Sequence, residues 1–205
     1  MALVMQGLSR QFAHHRILWS RVLLAVTLFV SIFSAPPTYV STWGLKAFEL
    51  TGYAMLSTAT LWRVWCLVFI GGSKDGVLST IGPFSVVRNP LYLGNFCGAV
   101  GYGLAVGRPM LALSLAFAFA VLYPAVIKEE EIRLRGIFGD SFERYCATVP
   151  RWLPKWSQYE EPATLVVTPV RIRQGMLDAM WYLWAFAFIE ILEVMHERSL
   201  VPYLF

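Results

Sequence analysis

The sequence predicts an all-α protein, a polytopic transmembrane helical bundle with about five membrane helices and a small cytoplasmic helical cap. Of its 205 residues, 57% are hydrophobic and only 15% are charged, which is too apolar for an ordinary soluble domain of this size. The apolar residues also form runs of roughly 17 to 25 residues, the length a helix needs to cross about 30 Å of hydrocarbon. These runs lie at residues 17–34, 47–70, 91–107, 109–127 and 176–195.

The runs differ in their flanks and charges. The first is long and lacks a convincing cleavage site, which favours a retained helix over a signal peptide. The third and fourth carry no charge and are separated only by Gly-Arg-Pro, which predicts a tight helical hairpin. The last contains Glu190 and Glu193, so it either faces a polar cavity or lies at the membrane interface.

Charged segments connect and extend the runs. The Gly- and Ser-rich segment 71–87 is predicted to be a loop, and Pro90 suits the first turn of the third helix. The fourth helix is expected to continue past Lys128, break at Gly139, resume and end near Pro150. We expect one integral-membrane domain over residues 1–205.

The distribution of Lys and Arg predicts the orientation. Basic residues precede the first run (Arg10, Arg16), occupy the second loop (Lys74, Arg88) and cluster after residue 127. By the positive-inside rule these segments and the N-terminus are cytoplasmic. The net charge of +4 then fits contact with anionic membrane lipids, and no nucleic-acid partner is expected.

Three cysteines, Cys66, Cys97 and Cys146, are odd in number and lack CxxC spacing. Neither a disulfide framework nor a metal site is therefore predicted. We expect these cysteines to be packing residues.

The segment "FSVVRNPLYLGNFCGAVGYG" contains the first candidate site. Arg88 and Asn89 precede a helix whose N-terminus has unpaired N–H groups and a positive dipole end, an arrangement that favours an anionic ligand. Alternatively, Arg88 is an interfacial anchor. Gly94, Gly98 and Gly101 share one helix face, where either a partner helix or a bulky ligand comes close.

Three consecutive glutamates follow the fourth run. Glu129 and Glu131 can form i, i+4 ion pairs with Arg133 and Arg135 on a solvated helix. Glu130 instead falls at helical spacing with apolar residues of the same helix, so its carboxylate is expected to point into the protein. We therefore take Glu130 as a candidate functional residue.

Arg63 lies inside the second run, below the expected membrane surface. Intramembrane arginines are functional candidates by default, and a substrate carboxylate or an inner glutamate is a suitable partner.

Two separated motifs, "VVRNPLYLGN" and "KEEEIRLRGIFGDSFERYCATVPRWLP", resemble the isoprenylcysteine carboxyl methyltransferase and phospholipid methyltransferase superfamily of integral-membrane enzymes. The resemblance covers residues 82–154, which would form the cofactor-binding core. The matching residues are Arg88, Pro90, Tyr92, Gly94, Glu129, Glu130, Glu131, Leu134, Phe138, Gly139 and Tyr145. Asn89 replaces the usual histidine and Phe142 a tyrosine, which puts a mechanism based on a basic imidazole in doubt.

The resemblance implies transfer of a methyl group from S-adenosylmethionine, leaving S-adenosylhomocysteine, to a membrane-embedded or lipophilic acceptor. A prenylcysteine-like carboxylate and a lipid amine are both acceptable. It implies catalytic roles for Arg88 and Glu130. The residues expected to bind the cofactor are Asn89, Pro90, Tyr92, Leu93, Gly94, Glu129 and Tyr145.

Two other interpretations stay open. Tyr145, Cys146, Val149 and Pro150 also resemble the end of NADPH-dependent membrane sterol reductases, although Asn95 stands in place of an aspartate. The other is a non-catalytic membrane scaffold, for which the Asn89 departure is the only indication. The membrane itself is either a bacterial inner membrane or the endoplasmic reticulum.

Overall fold

The computed structural model describes residues 18, 21–71 and 77–204. In this part of the chain all regular structure is helical, which confirms the predicted all-α class. The helices are α1 (Arg21–Phe33), α2 (Thr42–Gly71), α3 (Pro83–Val86), α4 (Pro90–Ala105), α5 (Pro109–Phe138), α6 (Asp140–Thr148), α7 (Pro169–Ala179) and α8 (Trp181–Glu197), with a 3₁₀ turn at Trp156–Gln158. Arg10, Arg16 and Lys74, on which the orientation partly depends, lie outside the described residues.

Three stretches are long and apolar enough to cross a membrane, Thr42–Ile70, Pro109–Phe138 and Pro169–Glu197. The third combines α7 and α8. The protein is thus a polytopic membrane bundle, while the predicted number of about five membrane helices stays a prediction.

The helix boundaries follow the local sequence. Proline occupies the first turn of α4 and α5, where its missing N–H costs no hydrogen bond. Gly139 separates α5 from α6 with φ of +52°, and Gly107 ends the α4 side of the hairpin with φ of +72°, a region that favours glycine. The predicted helix start at Pro90 and break at Gly139 are confirmed.

The chain divides into two compact units, Tyr39–Glu190 and the described residues of Met1–Thr38 with Ile191–Phe205. In the smaller unit, the Leu204 N–H donates to the Phe33 carbonyl (2.8 Å) and the His196 ring lies 2.8 Å from the Ile32 carbonyl oxygen. The larger unit contains all the predicted site residues.

Glycines bring the helices of the larger unit together. A Cβ on Gly52 of α2 would lie 2.2 Å from the Ala105 backbone of α4, and one on Gly98 of α4 would lie 2.3 Å from the Tyr182 ring of α8. Of the two roles considered for the glycine face of α4, the structure therefore shows helix packing.

A cap built around α6 fixes the segment that precedes α4. Phe142, Tyr145 and Val149 form a buried cluster. Phe142, which stands where the family usually has a tyrosine, therefore has a packing role. The chain after α6 then binds the segment before α4. The Arg88 N–H donates to the Pro150 carbonyl (2.9 Å), the Lys155 N–H to Val86 (2.9 Å) and the Gly82 N–H to Glu160 (2.7 Å).

Candidate functional site

The centre of the site is a buried carboxylate between two arginines. Glu131, on α5, is only 3% exposed. Its Oε1 lies 3.3 Å from Arg88 Nη1 and accepts a 3.0 Å hydrogen bond from Arg151 Nε, while Arg151 Nη2 donates to Oε2. Three parts of the chain meet here: the residues before α4, the C-terminal half of α5 and the segment after α6. We call Arg88, Glu131 and Arg151 the ion triad.

The ion triad corrects the expectation for Glu130. The prediction that the Glu130 carboxylate points inward is wrong, because its side chain is 34% exposed and it pairs with Arg133 on the same helix at 2.6 Å. The buried face of α5 passes through Ile127 and then Glu131, one i, i+4 step later. From the sequence pattern alone, the next buried residue after Ile127 could be either Glu130, at i+3, or Glu131, at i+4.

The outer ion pairs also differ from those considered. Arg133 pairs with Glu130 instead of Glu129, and Arg135 of α5 pairs with Glu143 of α6. Glu129, expected at the cofactor, is exposed.

Sequence reasoning missed Arg151. Arg151 ends the Val-Pro-Arg segment of the second motif. The match of this segment to the family pattern could have identified Arg151 as a site residue. Its hydrogen bonds to Glu131 raise the pKa of the Arg151 guanidinium, which keeps it charged. Two guanidinium groups around one carboxylate leave the ion triad with a net positive charge, so it favours an anionic ligand.

Two buried donors beside the ion triad have no protein partner among the described residues. They are Arg88 Nε and the side-chain nitrogen of Asn89, Nδ2. Asn89 is the N-cap residue of α4, yet its side chain makes no capping hydrogen bond. Buried unpaired donors are costly and therefore point to a ligand.

The other predicted cofactor residues lie nearby, but most are engaged in packing. The Pro90 carbonyl accepts a hydrogen bond from Trp62 Nε1 (2.7 Å), and a Cβ on Gly94 would lie 2.9 Å from the Trp62 ring. Tyr92 packs edge-on against Tyr123, and Leu93 is half-buried on the same helix.

Tyr145 supports the site from the cap. Its hydroxyl donates to the Phe84 carbonyl at 2.8 Å and thereby holds the segment that leads to Arg88. Burial raises the pKa of this phenol. The structure thus places Tyr145 as a support of the site, with its hydroxyl already bonded.

A second polar cluster lies farther along α4. Asn95 Oδ1 accepts hydrogen bonds from Arg63 Nη1 of α2 (3.2 Å) and from the Tyr182 hydroxyl of α8 (2.9 Å). Only Arg63 of these three was a sequence candidate. We call them the α4 midpoint cluster.

Comparisons with known proteins agree with the motifs. Residues 50–141 match the family model for phospholipid methyltransferase. The protein-S-isoprenylcysteine O-methyltransferase of Schizosaccharomyces pombe is 34% identical over 82 residues, which is 40% of this chain and 35% of that protein. The chain belongs to the isoprenylcysteine carboxyl methyltransferase and phospholipid methyltransferase superfamily.

Two bacterial relatives match this chain over nearly their full length. The nickel-cobalt-cadmium resistance protein NccN of Alcaligenes xylosoxydans xylosoxydans is 32% identical to this chain. The match covers 92% of this chain and 87% of the length of NccN. The cobalt-zinc-cadmium resistance protein CzcN of Cupriavidus metallidurans is 31% identical over 95% of this chain and 91% of its own. No solved structure shows a significant match.

Proposed function

We propose that this superfamily member transfers a methyl group from S-adenosylmethionine to a membrane-embedded or lipophilic acceptor, such as a prenylcysteine-like carboxylate or a lipid amine. The observation that carries the proposal is the pair of buried, unpartnered donors, Arg88 Nε and Asn89 Nδ2, beside the positive ion triad. Family membership supports the reaction class.

These donors suit the cofactor's acceptors. S-adenosylmethionine carries a carboxylate, ribose hydroxyls and adenine nitrogens, and its activated methyl group needs mainly correct alignment with the acceptor. Asn89 would donate a hydrogen bond to one acceptor atom of the cofactor. The start of α4, at Pro90, Tyr92, Leu93 and Gly94, would form the adjoining part of the cofactor site. An asparagine donor stays neutral at every pH, unlike the usual histidine.

The ion triad would orient the anionic part of a ligand. Glu131 fixes both guanidinium groups, so that the Arg88 guanidinium is held in place with its Nε unpaired. Glu129 is exposed and Glu130 pairs with Arg133, so the proposal assigns neither a ligand contact. Tyr145 of α6 supports the site through its hydrogen bond to Phe84. The proposed site faces the cytoplasm, where the positive-inside rule puts Arg88 and the segment after residue 127.

The first experiment is calorimetric titration of the detergent-purified protein with S-adenosylhomocysteine and with NADPH. We expect binding of S-adenosylhomocysteine, weakened about threefold to tenfold in Asn89→Ala by loss of one hydrogen bond. Gln174→Ala, which removes an exposed amide on α7, is the matched control and should bind normally.

The other outcomes have clear meanings. NADPH binding without S-adenosylhomocysteine binding would favour the reductase interpretation. Binding of neither would favour the scaffold. Normal affinity in Asn89→Ala would remove Asn89 from the cofactor site.

We also propose that methyl transfer by this chain contributes to resistance to divalent transition metals. The near full-length similarity to NccN and CzcN favours this role. Expression in a metal-sensitive bacterial host should improve growth in nickel, cobalt or cadmium salts, and Asn89→Ala should reduce the gain. If the wild-type protein and Asn89→Ala protected the host equally, resistance would not depend on methyl transfer.

A further inference from the structure

Arg63 places a cation inside an apolar helix. It lies in the part of α2 that is long and apolar enough to cross a membrane, eight residues before the helix ends at Gly71. Its Nη1 donates to Asn95 Oδ1, a neutral acceptor, at 3.2 Å. This contact satisfies one hydrogen bond but does not neutralise the charge.

No carboxylate among the described residues forms an ion pair with Arg63. The Arg63 Nε is also buried and has no hydrogen-bond partner in the described part of the chain. Because a guanidinium does not deprotonate in a protein, this charge persists inside the bundle. An uncompensated charge at membrane depth is costly and calls for an anion.

The surroundings of Arg63 are well fixed. Tyr182 donates to the same Asn95 oxygen at 2.9 Å, and its ring occupies the space that a Cβ on Gly98 would fill. Neighbouring Trp62 is held by its 2.7 Å hydrogen bond to Pro90. Arg63 itself is only half-buried, so a ligand can reach it.

The α4 midpoint cluster is distinct from the cofactor site proposed at Asn89. Asn95 follows Pro90 by five residues, which at 1.5 Å per residue puts it about 7.5 Å farther along α4. A ligand at Arg63 therefore meets apolar helix surface next to one fixed positive charge.

We propose that the α4 midpoint cluster binds the oxyanionic headgroup of a membrane amphiphile, with the Arg63 guanidinium as the donor and the acyl chain in the bilayer. The planar guanidinium matches both carboxylate and phosphate oxygens. The headgroup therefore comes either from a fatty-acid-like carboxylate or from a lipid phosphate. Identification of this amphiphile with the methyl acceptor rests on the proposed function, whereas the binding site itself does not.

The test is titration of the full chain in a non-ionic detergent with three probes that share an acyl chain: myristate, myristyl alcohol and myristoyl lysophosphatidate. At a pH that ionises myristate, we expect at least one anionic probe to bind about tenfold or more tighter than the alcohol, since hydrogen bonds to charged groups are strong. The tighter anion identifies the headgroup. Equal binding of the alcohol and both anions to the wild-type protein would overturn the proposal without any variant.

Variants assign the effect to Arg63. Arg63→Gln should abolish the preference for the anion, Arg63→Lys should retain part of it, and Arg144→Gln, at an exposed arginine of α6, should retain all of it. Unchanged preference in Arg63→Gln would overturn the assignment. S-adenosylhomocysteine affinity is measured on the same samples. If the wild-type protein does not bind S-adenosylhomocysteine, the proposed function is refuted. The preference for the anionic probe still decides whether the amphiphile site exists.

Discussion

Replacement of Glu131 by glutamine tests the ion triad most directly. At 3.3 Å, Arg88 and Glu131 attract each other by about 5 kcal/mol at an effective dielectric constant of about 20. Removal of the carboxylate charge leaves two guanidinium groups without their counter-ion, and loss of one partner of a buried pair costs about 3–5 kcal/mol. Because the Arg151 side chain is 41% exposed, we expect the lower end, about 3 kcal/mol.

Glu130→Gln is the matched control, one residue away on the same helix. Its ion pair with Arg133 is exposed, and such pairs contribute about 0–1 kcal/mol. Thermal unfolding of the detergent-purified variants, followed by tryptophan fluorescence, should show a Tm lowered by about 6–12 °C for Glu131→Gln and by at most about 4 °C for Glu130→Gln.

Affinity for S-adenosylhomocysteine is measured on the same samples. We expect Glu131→Gln to weaken it, since Arg88 loses its fixed orientation, and Glu130→Gln to change it little. Equal Tm shifts in the two variants, or a larger shift for Glu130→Gln, would refute the assignment of Glu131 as the inward carboxylate.

Three further changes test other contacts. Gly98→Ala should lower the free energy of unfolding by about 1–3 kcal/mol in thermal unfolding, because a Cβ there lies 2.3 Å from the Tyr182 ring. Tyr145→Phe should cost about 1 kcal/mol through loss of the hydrogen bond to Phe84. Folding raises the pKa of Tyr145 above its usual 10.0, so the wild-type protein should lose stability as pH rises above 10.0, and a pH series of Tm values should show a smaller loss in Tyr145→Phe. Asn89→His should make S-adenosylhomocysteine affinity depend on pH near about 6.5 in calorimetry, whereas the wild-type affinity should stay flat from about pH 6 to 8.

Much of the helical layout was accessible from the sequence. Proline at a first helical turn and glycine at a left-handed position have strong local preferences, so the start of α4 and the break at Gly139 could be read directly. The ends of α5 were also accessible, because an uninterrupted helical pattern joins its apolar and charged parts.

The identity of the buried glutamate was not accessible in the same way. Successive residues on a helix differ by about 100° in direction, and both Glu130 and Glu131 lie within one step of the apolar face. The deciding contact comes from Arg151, 20 residues away along the chain. No local pattern specifies such a partner.

The contact between Tyr182 and Asn95 spans 87 residues and depends on the packing of α8 against Gly98. Sequence patterns identified Arg63 and the glycine face separately. They did not show that both belong to one cluster, since that requires the relative placement of three helices.

The ion triad and the α4 midpoint cluster both contact the first turns of α4. Their separation along this helix suggests how two unlike ligands are brought together. The ion triad and Asn89 lie at the helix start, beside the cap that carries the charged residues, where we propose that the water-soluble cofactor binds. Asn95, which accepts the hydrogen bond from Arg63, lies about 7.5 Å farther along α4 than Pro90, against apolar helix surface that suits an acyl chain. Because Asn89 and Asn95 both belong to α4, the spacing of these two residues along the helix is fixed by the backbone. If the lipid proposed at Arg63 is the methyl acceptor, its reactive group has to reach the cofactor proposed at Asn89, which favours acceptors whose reactive group is close to an anionic head.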